Sequence, residues 1–218
     1  MQTTIAEVKI GSSLTLAEMR EICKFRSQIF EEVYRLASEK PDSYSPEKPD
    51  DYDKQSCHFI IRRSEDGAIL AYARIIFDQL STLPMFKYCT TLPNVQKTAA
   101  EISRLCIHKS YRGDFTRFSP FCSLFTEMIK YSLAANINVW YGYFFTKFYY
   151  AAKRFFKVPL QRLGDRQKFS ESNSVYACSL DVVETIARNQ STVYGQSVVS
   201  ELKKSSELNG LMPELVAA

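Results

Sequence analysis

Glu101 and Arg104 stand three residues apart in AEISRLCIH, residues 100–108, a stretch whose apolar content otherwise reads as a β-strand. A carboxylate withdrawn from water can act as a general base, directly or through a water, and a guanidinium beside it can hold an anion. Geometry sets a condition on any joint action. In a regular strand, positions separated by an odd number face opposite sides, so Glu101 and Ser103 share one face while Arg104 shares the other with Ile102 and Cys106. If Glu101, Ser103 and Arg104 serve one catalytic site, a bulge must re-aim the chain between Glu101 and Leu105. The alternative is a structural ion pair at a strand end, completed by Asp50, Asp53 or Arg26.

Other chemistries find less support. The six cysteines are scattered without a CxxC, and only His58 and His108 are available to complete a metal site, so no metal is expected. Cys106 and His108 follow Arg104 and invite a nucleophile reading, but a cysteine in an apolar strand is ordinarily inert.

The elements that must position these residues can be read from periodicity. Thr15 and Glu18 have capping-box spacing, and Leu16, Met19, Ile22, Phe25, Ile29, Val33 and Leu36 recur at helical intervals. Residues 40–55 are dense in Pro, Asp and Ser and read as a surface loop too polar to bury. Cys57–Ile61 and Ala68–Phe77 flank a turn at Ser64–Gly67, as an antiparallel hairpin does. Residues 78–98 read as loop with at most a helical turn. The strand Glu101–His108 follows, and Ser119 with Pro120 then forms an Ncap and N1 pair opening an apolar helix that ends near Asn136. INVWYGYFF is a buried strand, a helix starts at Thr146, VYACSLDV is a last strand, and residues 181–205 look helical. The fold class is α/β with one mixed sheet.

At 218 residues the chain suits one domain, with a core over about residues 15–180 and a helical tail over 181–218. Its 45% hydrophobic and 24% charged residues are those of a folded protein. No apolar run approaches the roughly 18 residues of a membrane span, and no signal peptide opens the chain. A cytoplasmic protein with reduced thiols is expected. The net charge of +4 is mild and gives poor support to a nucleic-acid binder. Between Lys147 and Lys168, however, seven basic residues face one acid, Asp165, which makes a local positive surface.

The order of elements, with Arg26 and Phe30 on the first helix, DDYD ending at Asp53, Arg74 in the second hairpin strand and EISR at Glu101–Arg104, resembles a group within the GCN5-related N-acetyltransferase (GNAT) fold. That group makes N-acyl amino acids and, in a sister branch, acyl-homoserine lactones. The agreement runs over roughly residues 15–160. The sister branch carries ExDx(Y/F)D in the loop after the first helix; Asp50, Tyr52 and Asp53 match it, but Lys48 holds the first acidic position. A tryptophan usual late in that branch's first helix is also missing, since the one tryptophan is Trp140. Both departures favour the amino-acid branch.

The resemblance implies a central splayed mixed sheet flanked by helices and an enzyme that moves a long-chain acyl group from acyl carrier protein, or coenzyme A, to the amine of an amino acid. Direct attack by the amine needs no acyl-enzyme. Glu101 is then the base, with Ser103 and Arg104 beside it. Arg26, Phe30, Asp50 and Asp53 shape the acceptor side, and Arg74 holds an acceptor carboxylate with its bidentate fork. Trp140, Phe144 and Phe145 line a slot for the alkyl chain, where each buried methylene is worth about 0.8 kcal/mol. The turn KSYRGDFTRFSP leads into a helix N-terminus that favours an anionic phosphopantetheine arm, with Ile107, Arg112, Gly113 and Arg117 around it. Only Gly113 of the wider fold's glycine-rich pyrophosphate signature is present, which suits the carrier protein better than coenzyme A. Lys147, Lys153, Arg154 and Lys157 offer an acidic carrier protein a docking face. No tightly bound cofactor is implied; the pantetheine thioester is a co-substrate. The alternatives are an acyl-homoserine-lactone synthase using S-adenosylmethionine, and a non-catalytic acyl-carrier or lipid-binding module.

Overall fold

A computed structural model of the chain describes residues 4–34, 48–77, 83–87, 98–113, 119–155, 158–170, 173–189, 196 and 199–200. Its strands are β1 (Thr4–Ile10), β2 (Ser56–Arg63), β3 (Ile69–Ile76), β4 (Ala99–Ile107), β5 (Val139–Phe145), β6 (Gln161–Arg162), β7 (Gln167–Lys168) and β8 (Ser174–Asp181). Its helices are α1 (Leu16–Tyr34), α2 (Pro120–Ala134), α3 (Thr146–Phe155) and α4 (Val182–Asn189). The strands form one sheet in the order β1-β2-β3-β4-β5-β8-β6, with β7 also on β8. Neighbours from β1 to β4 are antiparallel, β4 and β5 are parallel, and β5 and β8 are antiparallel. The parallel step is where a helix is needed to carry the chain back, and α2 does so.

α1 starts where its sequence says it must. Thr15 Oγ1 accepts from the Glu18 N–H at 3.2 Å and Glu18 Oε2 accepts from the Thr15 N–H at 2.8 Å, a reciprocal cap. Leu16 departs from the expected apolar stripe and is 78% exposed. α2 is capped by Ser119, whose hydroxyl accepts from the Cys122 N–H, with Pro120 in the first turn. Asp181 caps α4 in the same way, accepting from the Glu184 N–H.

The two helices cover opposite faces. On the α2 side Phe59, Ala71, Ala73, Ile75, Ile102, Trp140 and Phe144 pack with Phe121, Leu124, Phe125, Met128 and Ile129. On the α1 side Ile60, Tyr72 and Cys106 pack with Ile22, Phe25, Ile29 and Phe30. β3 is consequently buried at every position. Next to the α1 cluster a third one, Ile76, Leu83, Met85, Val139 and Tyr141, is closed by a single 3-10 turn, Pro84–Lys87. Among the described residues no helix is long and apolar enough to cross a membrane.

The hairpin, α2, β5 and β8 match the sequence reading. The expected helical tail is described as α4; most of the remainder lies outside the described residues. β1 was not expected. Its apolar positions Ile5, Val8 and Ile10 are exposed at the sheet edge, so the short alternation over Ala6–Ile10 marks no core face. β1 nevertheless feeds the site, because Gly11 just beyond it lies against the main chain of Asp53: a Cβ there would sit 1.8 Å from the Asp53 carbonyl oxygen. Gly11→Ala must displace backbone from backbone. It is expected to cost about 1–3 kcal/mol, read as a lowered urea midpoint at unchanged m-value.

Candidate active site

The bulge that the sequence demanded is present. Tyr72 pairs with Cys106 and Arg74 with Ser103, so Arg104 and Leu105 together oppose Ala73. Arg104 takes φ +58°, the left-handed conformation that places the extra residue of such a bulge. The consequence is visible in the cores: Ile102 and Cys106, equal in parity, lie on opposite faces. Ser103 and Arg104 are thereby turned to the same side, where both reach the loop of Asp50 and Asp53 through direct or one-residue contacts. A left-handed arginine is strained, and the contacts of its side chain hold it there.

Those contacts form one network. The Asp53 carboxylate, 1% exposed, accepts from Arg26 Nη1 at 3.0 and 3.2 Å, from Arg74 Nη1 at 2.5 Å and from the Asp50 N–H at 2.9 Å. Asp50 accepts from Arg74 Nη1 at 2.6 Å and from Arg104 Nη2 at 2.9 Å. Arg74 Nε donates to Ser103 Oγ at 2.8 Å. Among the described residues three guanidiniums thus meet two carboxylates. Burial works against ionised Asp50, but the hydrogen bonds and charges of Arg74 and Arg104 outweigh it and hold the carboxyl well below the usual range.

Two expectations are corrected here. The loop over 40–55, where described, is not uniformly a surface: Asp53 is 1% exposed, because charge partners from α1 and β3 replace the water it gives up. Arg74, 2% exposed, does not present its fork to an acceptor; Nε and Nη1 are spent on Ser103, Asp50 and Asp53.

Glu101 lies apart from this network, one strand pair further along β4. It is 4% exposed, and its Oε2 accepts from the Met85 N–H at 2.8 Å. The turn carrying Met85 is held in place by Tyr143, whose hydroxyl donates to the Met85 carbonyl at 3.1 Å. Burial pushes the Glu101 carboxyl up to about 7, against the lowering effect of the Met85 N–H, Arg74 and Arg104. A carboxyl poised there can take or give a proton at neutral pH.

At the same point the sheet opens. The β4–β5 ladder ends at Glu101 opposite Tyr141; beyond it the strands diverge. Gly142 makes the last close approach, since a Cβ there would lie 2.8 Å from the Ile102 carbonyl oxygen. Past this pair the edge of β4 that faces β5 is unladdered, and its backbone groups suit an extended, amide-bearing arm.

The remaining predicted residues are dispersed. Arg26 is in the network, while Phe30 is part of the α1 core. Trp140, Phe144 and Phe145 do not line one slot, because Trp140 and Phe144 lie on the α2 side of β5 and Phe145 on the other. Trp140 is wholly buried on the α2 side and donates to Ser132 Oγ at 2.8 Å; Phe144 stacks on Phe148; Phe145 meets Phe169 on the other face. Arg112 donates to the carbonyl of Ile107 at 2.9 Å and pairs with Glu32, so it braces the end of β4. Gly113 takes φ +85° in the turn that follows. Arg117 and Lys157 lie outside the described residues. Lys147, Lys153 and Arg154 are exposed on α3, and Arg162 nearby lies 4.1 Å from the Tyr176 ring centre and 4.8 Å from that of Tyr149. Burial drives the Cys106 thiol up to about 12, which removes it as a nucleophile. Sequence reasoning missed Gly11, His58, Tyr72 and Met85, none of which sits in a recognisable motif.

Residues 25–117 match the model of the acetyltransferase (GNAT) domain family. No curated protein matches the chain in sequence. Among solved structures, the AHL synthase LasI is 15% identical, with a TM-score of 0.65 over 84% of this chain and 91% of its own. TofI, solved in a ternary complex with an inhibitor and MTA, is 18% identical, with a TM-score of 0.64 over 89% of this chain and 100% of its own. FeeM, an N-acyl amino acid synthase from uncultured soil microbes, is 17% identical, with a TM-score of 0.59 over 86% of this chain and 95% of its own. At such identities the likeness is one of fold. The chain has a GNAT-like fold, and the family match over residues 25–117 takes in Arg26, Asp53, Arg74 and Glu101–Arg104, the residues that carried the resemblance.

Proposed function

We propose that the protein is an N-acyltransferase that moves a long-chain acyl group from the pantetheine thioester of acyl carrier protein to the amine of an amino acid, in the cytoplasm. The observation that carries this reading is the placement of a buried carboxyl, Glu101, with its proton affinity near neutrality, at the point where β4 and β5 part. Glu101 takes the proton of the acceptor's ammonium. The free amine attacks the thioester carbonyl carbon; the C–N bond forms, the C–S bond breaks, and the proton lost from the new amide nitrogen goes to the leaving thiolate. The guanidiniums of Arg74 and Arg104, which act on the Glu101 carboxyl, support an acceptor that bears a carboxylate. The acyl-carrier donor draws its support from the exposed cations of α3.

A second reading, acyl-homoserine-lactone synthesis from S-adenosylmethionine, is favoured by the likeness to LasI and TofI. One experiment separates the two. Incubation with acyl carrier protein and coenzyme A thioesters, a mixed amino-acid pool and S-adenosylmethionine, followed by mass spectrometry, should give an N-acyl amino acid without release of methylthioadenosine. Methylthioadenosine with a lactone product would establish the second reading, and no product with any acceptor would leave only the fold. Charge reversal at Lys153 and Arg154 should raise KM for acyl carrier protein about tenfold, as loss of docking contacts worth about 1.4 kcal/mol would, and leave KM for a short synthetic thioester unchanged. Equal effects on both donors would refute the docking face.

A further inference from the structure

Two fully buried polar side chains have no part in the proposed chemistry, His58 on β2 and Tyr72 on β3. His58 Nδ1 lies 2.9 Å from the Tyr72 hydroxyl, and Nε2 lies 2.8 Å from the carbonyl oxygen of Asp53. A carbonyl only accepts, so Nε2 carries the hydrogen. Nδ1 is then the acceptor and the Tyr72 hydroxyl its donor. The Arg26 guanidinium acts on the Tyr72 hydroxyl and draws its proton affinity down against burial, and Arg26 donates to the Asp53 carboxylate.

Asp53 is thus held twice, at its main-chain carbonyl by His58 and at its side chain by Arg26. On the far side of that carbonyl stands Gly11, where a Cβ would intrude. The Asp53 peptide therefore has one position available, between the glycine and the imidazole. Asp53 and Asp50 close a turn three residues apart, so fixing one fixes the other, and their carboxylates aim Arg74 at Ser103 and hold Arg104 in its left-handed conformation.

We infer that His58, as the neutral Nε2–H tautomer, is the positioning residue of this site, acting through the Asp53 carbonyl and Tyr72 on the carboxylates that set Arg74 and Arg104. A second proton on the ring would remove the acceptor that Tyr72 uses and add a cation beside Arg74 and Arg26. The ionisable groups around it are Cys23 and Arg26 on α1, Asp50 and Asp53 on the loop, Tyr72 and Arg74 on β3, and Glu101, Arg104 and Cys106 on β4. Lys9, its Cα partner on β1, is turned to Glu18. Burial lowers the ring's proton affinity, as do Arg74 and Arg26, against the opposing pull of Asp53.

The inference rests on the acyltransferase reading for the kinetic half of its test only. The chain has two histidines, so the 15N spectrum of histidine-labelled protein contains two rings, and His108→Asn assigns them. Expected is a His58 ring protonated at Nε2 alone that titrates below the ordinary histidine range. A ring protonated at Nδ1, or one that titrates near pH 6.5 like a solvated histidine, would overturn the inference whatever the protein catalyses. For the kinetics, glutamine at this position can still offer an amide N–H to the Asp53 carbonyl and phenylalanine cannot. His58→Phe should lose at least tenfold more kcat than His58→Gln, with the ratio preserved at temperatures where both variants are fully folded. Equal losses in the two variants, or losses that only follow the melting temperature, would make His58 a packing residue. Wild-type protein without acyl-transfer activity would sink the acyltransferase reading and leave the tautomer measurement to decide this one.

Discussion

Glu101→Gln is expected to lower kcat for acyl transfer by about 10²- to 10⁴-fold, the usual worth of a positioned base, and at the same time to stabilise the protein above neutral pH. The two effects have one cause. Burial raises the Glu101 carboxyl from an ordinary 4.5 to about 7, so the folded state favours the protonated form. The stabilisation that this proton contributes is complete below about pH 4.5 and is lost as pH rises through 7; the ionised group then opposes folding by about 3 kcal/mol for a shift of this size. Glutamine removes that opposition and can still accept from the Met85 N–H. Urea titrations should therefore show wild type and variant converging near pH 5 and the variant ahead at pH 8. The kcat/KM profile of the wild type should rise with a midpoint near 7, and that of the variant should be flat. A structural ion pair predicts the reverse, since neutralising one partner would destabilise at pH 8. A less stable Glu101→Gln variant at that pH would rule out the general-base assignment.

How much of this was legible in the sequence depends on how far apart the interacting residues lie. Local devices were readable: the Thr15–Glu18 cap, the Ser119–Pro120 helix start and the hairpin are each written within a few residues. The bulge was readable for a different reason. Glu101, Ser103 and Arg104 could not serve one site on a regular strand, and the contradiction itself located the irregularity. Asp53 shows the opposite case. Its segment is as polar as a solvated loop, and only partners 27 and 21 residues away, Arg26 and Arg74, make its burial possible. For the same reason Arg74 read as a guanidinium free to grip a substrate, when long-range contacts had already used it. Trp140 and Phe145 read as one aromatic run, although the period of the strand divides them between two faces. β1 escaped notice because its alternation over Ala6–Ile10 is short and leaves Val8 and Ile10 exposed, and Gly11 and His58 because a glycine at a close approach and a histidine with a fixed tautomer look like any others.

Asp53→Asn is expected to destabilise the fold by about 3–5 kcal/mol, the range for breaking a buried charge pair by removing one member. The carboxylate satisfies Arg26 and Arg74 together; an amide supplies one oxygen and no charge, and neither guanidinium can reach water without unpacking α1 from β3. For a chain of this size the loss corresponds to roughly 6–20 °C in melting temperature. Asp50→Asn should cost less, because the Asp50 side chain is 26% exposed and water can replace part of what Arg74 and Arg104 lose. The buried network is thereby separable into stability and aim. Adding Arg26→Met to Asp53→Asn removes the stranded cation and leaves Arg74 on Asp50, so the double variant should regain more than 1 kcal/mol over Asp53→Asn alone, as buried pairs replaced by apolar groups commonly do. Activity should not return with it, because nothing then anchors the turn that sets Arg74 and Arg104. Recovery of kcat in step with stability would mean that the network only holds the fold together; a urea midpoint shift below 1 kcal/mol for Asp53→Asn would mean that the carboxylate is solvated and the network is not the keystone of the site.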